Sequence, residues 1–190
     1  SSGKQGHAIA RAAAEAGAAV TLVTGPVALP DPLGVKTVHV ESARDMMAAV
    51  EAALPASIAI FAAAVADWRV ADIAGGKIKK GPGGPPALAF VENPDILATI
   101  AKRATDRPRL VVGFAAETEN VIDNARAKLA RKGCDLIVAN DVATGTGTFG
   151  GDANTVHLVT PDGVETWERQ PKDAVARALV AHLADRIAAR

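Results

Sequence analysis

Several short stretches of the 190-residue sequence combine residue types able to hold or transfer charged groups. Ala62-Ala63-Ala64-Val65-Ala66-Asp67-Trp68-Arg69 follows an apolar run. Its small residues let a ligand lie against the backbone, and the Asp67 carboxylate can accept hydrogen bonds from sugar hydroxyls or simply cap a turn. Further on, Lys77-Ile78-Lys79-Lys80 is preceded by Gly75-Gly76 and followed by the Gly/Pro-rich Gly81–Pro86. Lysines on a hinged segment suit a flap that closes over phosphates and neutralises charge developing during a transfer, while a charge run can equally be a solvated loop. In Asn93-Pro94-Asp95 the asparagine has N-cap chemistry and the proline suits a first helical position. Such a start offers N–H groups to a polar ligand, and it is also an ordinary helix beginning. Lys128 and Lys132 lie one turn apart on an amphipathic segment and share a face with Asn124. They present a pair of cations, or compensate the helix dipole.

Other chemistries are excluded. Ser1-Ser2-Gly3-Lys4-Gln5-Gly6 resembles a phosphate loop in composition, but Gln5 stands where a Walker motif needs Ser or Thr. No G-x-G-x-x-G follows a strand, and there is no tyrosine, so an NAD(P)-dependent reductase lacks its usual fingerprint and its usual acid. The lone Cys134 excludes an internal disulfide framework and reads as a small buried residue at the start of a strand. His7, His39, His157 and His182 lack the spacing of a zinc site, so no protein-held metal is expected. Lys and Arg number 21 against 21 Asp and Glu, which argues against nucleic acid or an anionic membrane as partner, since both are held by surplus cations. The uncharged stretch Ala52–Ala66 is too short to span a bilayer and contains Pro55. A reducing, cytoplasmic setting is the expectation.

The elements that must position these residues alternate. Gly6–Gly17 reads as an Ala-rich helix stopped by glycine, Ala19–Val23 as a buried strand, Lys36–Val40 as a strand, and Ser42 with Asp45 as a capping box opening a helix to Leu54. Ser57–Ala63, Leu88–Val91, Leu110–Phe114 and Leu136–Ala139 are strand candidates, with helices from Pro94 to Ala104 and from Glu119 to Lys132 between them. Thr155–Thr160 and Val164–Trp167 flank Pro161-Asp162-Gly163 and read as a C-terminal antiparallel hairpin, after which Pro171 opens a last helix. This is a doubly wound α/β fold, a parallel sheet with helices on both faces, in one domain over residues 1–190. Because the sequence opens on a loop and a helix, a first, central strand of roughly twenty residues with its loop is expected ahead of Ser1.

The order SSGKQG, AAAVADWR, KIKK, ENPDIL, VVGFAAETEN, CDLIVANDV resembles the phosphopantothenoylcysteine synthetase family (phosphopantothenate-cysteine ligase), the ligase half of bifunctional bacterial coenzyme A proteins, over essentially the whole chain. The resemblance implies a Rossmann-like sheet and a CTP-dependent activation of 4'-phosphopantothenate as an acyl-cytidylate, followed by attack of the cysteine amine with release of CMP. It further implies that Lys77 is the essential lysine at the α-phosphate, and that Phe61, Ala62, Ala63, Asp67, Pro94, Asp95, Ile96, Leu97, Phe114, Lys128 and Lys132 contact CTP. Ser1, Ser2 and Gly3 lie near the acyl substrate, and Asn140 and Asp141 are pocket residues of unassigned role. The family contact ahead of SSGK has no counterpart in this sequence, and Trp68 replaces the customary Tyr or Phe. Mg²⁺ would travel with the CTP phosphates. FMN would belong to a fused flavin-dependent decarboxylase outside these residues. Relatives act as homodimers, with the Thr155–Trp167 hairpin as candidate contact because a lone two-stranded unit is marginal. A non-catalytic nucleotide-binding module of the same fold is the alternative, with an NAD(P)-dependent Rossmann reductase as the less favoured one.

Overall fold

The computed structural model describes residues 2–71, 88–142 and 153–189. In chain order these form α1 (Lys4–Glu15), β1 (Thr21–Thr24), β2 (Lys36–His39), α2 (Ala43–Ala52), β3 (Ile58–Phe61), β4 (Trp68–Val70) and β5 (Phe90–Glu92). Then follow α3 (Ile96–Ala101), β6 (Leu110–Glu117), α4 (Val121–Lys132), β7 (Leu136–Asp141), β8 (Ala153–Thr160), β9 (Gly163–Pro171) and α5 (Lys172–Ala188). Ser1, Lys77 and the Gly81–Pro86 stretch lie outside the described residues.

A five-stranded sheet runs in the order β3-β6-β7-β8-β9, parallel through β3, β6 and β7 and antiparallel at β7–β8 and β8–β9. The central strands read as unbroken apolar runs because both faces are covered. Leu110 and Val112 of β6, with Leu136 and Val138 of β7, face α1 and α5, meeting Ile9, Ala12, Leu179 and Leu183. Val111 and Ile137 point to the other face, against Leu97 of α3 and Ala125 and Leu129 of α4. Each such side chain contributes about 1.5–3 kcal/mol by leaving water. The Arg107 guanidinium ties α3 to the strand starts, donating to the Ala101 carbonyl (2.7 Å) and to Asp135 Oδ2 (3.0 Å), which also accepts the Val111 N–H (2.8 Å).

The doubly wound α/β expectation holds, with two local corrections. The C-terminal hairpin exists but is no separate unit: β8 pairs with β7 as well as β9, and its Val156, Leu158 and Val159 are buried. The marginal-ribbon argument for a dimer contact there therefore fails. The strand expected at Leu88–Val91 does not join the parallel sheet. It pairs antiparallel with β4, a strand arising where a loop was expected. Three-residue strands give too little alternation to read, and the ribbon is closed instead by polar contacts, with Arg69 donating to the Glu92 carbonyl and the Asn93 N–H to the Asp67 carbonyl at 2.8 Å. Among the described residues, β1 and β2 pair in parallel, as expected of their strands, in a separate two-stranded sheet.

Local signals behave as their chemistry dictates. Ser42 and Asp45 form the reciprocal capping box that starts α2, and Gly17, just past α1, takes the left-handed conformation (φ 88°) that suits glycine.

Candidate functional site

Register places the site. Phe61, the last residue of β3, pairs with Gly113, so the small-residue stretch Ala62–Ala63 leaves the sheet level with Phe114, while β6 and β7 continue to Glu117 and Asp141. This step between a short strand and two longer ones is the crevice beyond strand carboxyl ends where open α/β sheets hold ligands. Gly113 lets α3 approach. A Cβ there would stand 2.7 Å from Leu97 Cδ2 and 2.8 Å from Ile137 Cδ1, so Leu97 and Ile137 in their present positions rely on the bare backbone. A lone glycine inside an apolar strand was the available sequence signal, and it went unread.

The start of α3 differs from expectation. Asp95, not Asn93, is the N-cap, its Oδ1 accepting the Ala98 N–H at 3.1 Å, which leaves Pro94 outside the helix. Asn93 instead braces the preceding loop: its Nδ2 donates to the Ala66 carbonyl at 2.9 Å, and its backbone N–H holds Asp67 as described above. Asp67 is thereby tied to the strand end that leads into Asp95. Ile96 and Leu97 are 6% and 8% exposed, so their side chains are largely packed inside and their backbone is the part more open to a ligand.

The two lysines of α4 reach into this corner from the opposite helix. Lys128 Nζ donates to the Phe114 carbonyl at 2.7 Å. Lys132 Nζ pairs with Asp95 Oδ2. Burial lowers the Lys128 pKa, the neighbouring Lys132 lowers it further, and Glu117 partly offsets both. For Asp95, partial burial pushes upward, but the Lys132 hydrogen bond, the Ala98 N–H and the charges of Lys132 and Arg131 outweigh it and hold the carboxyl below its ordinary value. Beside Lys128 opens a cavity of about 420 Å³ lined by Glu117, Asn124, Ala127, Lys128 and Arg131. Asn124 shares the Lys128 face as expected and donates to Glu117 Oε2 at 3.2 Å. Glu117 and Arg131 were not foreseen.

Phe61–Ala63, Asp67, Pro94–Leu97, Phe114, Lys128 and Lys132 thus meet along one edge, joined by strand pairing, hydrogen bonds and an ion pair. Asn140 and Asp141 end β7 on the same edge. The α1 start approaches from the other side: a Cβ on Gly6 would lie 3.9 Å from that of Ala62. Gly3 caps α1 in the left-handed conformation (φ 74°) against Val27 and Leu29, and Ser2 is exposed beside it. Cys134 is 6% exposed and its pKa is raised by burial, the state of a packed thiol rather than a nucleophile. Among the described residues no group of three or more His, Cys, Asp or Glu could hold a metal ion, and no helix is long and apolar enough to cross a membrane.

Fold and edge together define an α/β domain with a crevice at the carboxyl ends of its parallel strands, the place where open α/β sheets hold ligands. Residues 1–187 match the family described as the DNA/pantothenate metabolism flavoprotein C-terminal domain, and the chain belongs to that family, in agreement with the resemblance carried by the motifs. It is 48% identical over 189 residues to the coenzyme A biosynthesis bifunctional protein CoaBC of Escherichia coli K12, covering 98% of this chain and 46% of that protein. It is 48% identical over 176 residues to CoaBC of Mycobacterium tuberculosis H37Rv, covering 87% of this chain and 42% of that protein. The chain therefore spans less than half the length of these curated relatives. Among solved structures, the C-terminal domain of a CoaBC superposes with a TM-score of 0.80 at 36% identity, over 100% of this chain and 85% of that one.

Proposed function

We propose that this chain is the ligase part of a coenzyme A biosynthetic enzyme, joining 4'-phosphopantothenate to cysteine through an acyl-cytidylate made from CTP. A carboxylate is a poor electrophile at neutral pH, and esterifying it to the nucleotide phosphate supplies a leaving group. The protein must hold two anions together and stabilise extra charge at the α-phosphate. The observation that carries the reading is the convergence of Phe61–Ala63, Phe114, Lys128 and Lys132 on one strand edge. Small residues there admit the nucleoside, and ammonium groups face the polyphosphate. Lys77, on the segment between β4 and β5, is assigned to the α-phosphate, and Ser1, Ser2 and Gly3 to the acyl substrate. Mg²⁺ enters with the phosphates, its coordination supplied mainly by them and water.

The partial coverage of bifunctional relatives supports a fused flavin-dependent decarboxylase as partner, and FMN is assigned to that part. Homodimer formation belongs to the same proposal, but its contact moves. Trp68 and Phe90 (57% and 61% exposed) lie on the β4–β5 ribbon with Leu88 (55%) beside it, a larger uncovered apolar surface than the hairpin offers.

The test is pyrophosphate release by the full-length protein given CTP and 4'-phosphopantothenate with cysteine withheld. The reading expects about one pyrophosphate per active site and turnover on adding cysteine. A protein that binds CTP but releases none is a non-catalytic module, and the ligase reading falls.

A further inference from the structure

Asp95 divides its two oxygens between two helices. Oδ1 accepts the Ala98 N–H and starts α3, and Oδ2 accepts Lys132 Nζ from the last turn of α4. The consequence shows on the lysine, whose side chain is only 17% exposed although it stands at a helix end. Left to itself it would not stay there. Lys128 is one turn away, and like charges at that spacing repel. Lys128, one turn earlier on the same face of α4, is meanwhile fixed on the Phe114 carbonyl at 2.7 Å, and it feels the charge of Lys132.

We propose that Asp95 is a positioning residue for the nucleotide polyphosphate: it holds the Lys132 ammonium beside that of Lys128, so that the pair is set before the phosphates arrive. An ammonium has three donors; one goes to Asp95 and the others remain for an anion. Asp95 is itself a carboxylate and gains nothing by touching a phosphate, so its part in binding is indirect. Ordering one long side chain in advance corresponds to an affinity gain of about three- to tenfold. The proposal rests on the nucleotide-site reading above.

CTP binding by calorimetry, together with the KM and kcat of CTP-dependent pyrophosphate release, is measured on the full-length wild type, Asp95→Asn, Lys132→Met and the double variant. Asparagine remains a good N-cap, so Asp95→Asn spares the start of α3, and an unchanged Tm verifies this. The expected result is a CTP Kd and KM raised about three- to tenfold in Asp95→Asn with kcat altered less than about twofold, and a double variant no worse than Lys132→Met alone. Two results overturn the proposal while leaving the nucleotide site intact. One is an equal loss on adding Asp95→Asn to Lys132→Met, which makes Asp95 independent of the lysine. The other is tighter CTP binding by Asp95→Asn, which makes the carboxylate a competitor of phosphate. A wild type that binds no CTP removes the site reading itself, and the proposal with it.

Discussion

In β6, β7 and β8 the side chains of Val111, Val112, Ile137, Val138, Val156 and Val159 have no exposure at all, whereas no residue of β2, β3, β4 or β5 is buried, and in β1 only Thr24 is. The sequences look alike: Ile58–Phe61 is as apolar as Leu136–Ala139. What differs is coverage. The C-terminal strands have a neighbour on each edge and a helical layer on each face, while β3 has one strand neighbour among the described residues, and α2 has no buried residue. Among the described residues burial is thus concentrated in one half, and the candidate site lies where that half meets the more exposed strands. On the proposed function, substitutions at that site should change binding and catalysis with little cost to the fold, while core substitutions should damage the fold without touching a proposed ligand contact.

The largest effect should separate these two properties completely. Lys77→Ala is expected to lower pyrophosphate release on the order of a hundredfold or more, as loss of a group facing developing charge does, with Tm unchanged. A matching fall in Tm would show that the lysine supports the fold instead. Next, Leu136→Ala should cost about 2–5 kcal/mol in urea unfolding, the range for a fully buried leucine. Leu22→Ala in half-exposed β1 should cost distinctly less, about 1 kcal/mol, in proportion to the apolar area lost. Equal costs would erase the contrast between the halves. Ser42→Ala, removing the α2 cap on the thin side, should cost about 1 kcal/mol.

A smaller effect is read in pH. Burial, then Lys132, lowers the Lys128 pKa, so its charge is lost before that of an ordinary lysine as pH rises. CTP affinity should weaken on that alkaline limb. Stability should rise slightly over the same window, because the unfolded chain there holds more protons than the folded one. Lys128→Met should flatten the affinity limb. The weakest is Asp95: its lowered pKa means the ion pair contributes above the ordinary carboxylate range and is lost as pH falls through the depressed value. Half exposure of the carboxylate keeps this contribution small.

What the sequence revealed follows the same division. Long runs such as Leu110–Phe114 and Leu136–Ala139, and the Ser42–Asp45 box, state their structure locally, because periodicity and capping chemistry are properties of a few consecutive residues. The β4–β5 ribbon did not, since its pairing joins Trp68 to Glu92 across a long connection. At the candidate site, the proposed roles of Phe61–Ala63, Lys128 and Lys132 rest on motif order, and the register of β3 on β6 supplies the physical reason these residues meet. The Asp95–Lys132 pair was invisible, because nothing in either segment names its partner. Ile96 and Leu97 are proposed pocket residues by their place in the motif, and their hydrophobicity accounts for the burial of their side chains. Gly113 and Asn93 show the converse: a clear local signal whose purpose, admitting Leu97 or bracing the Asp67 loop, exists only in three dimensions.

The most direct measurement is a crystal structure of the protein with CTP bound. The account predicts the nucleoside beside Phe61–Ala63 at the carboxyl end of β3, with phosphate oxygens within hydrogen-bonding distance of Lys128 Nζ and Lys132 Nζ. A triphosphate seated elsewhere, such as in the cavity of about 250 Å³ between the β8–β9 turn and α5 at Glu165, His182 and Arg186, with both lysines untouched, would contradict it.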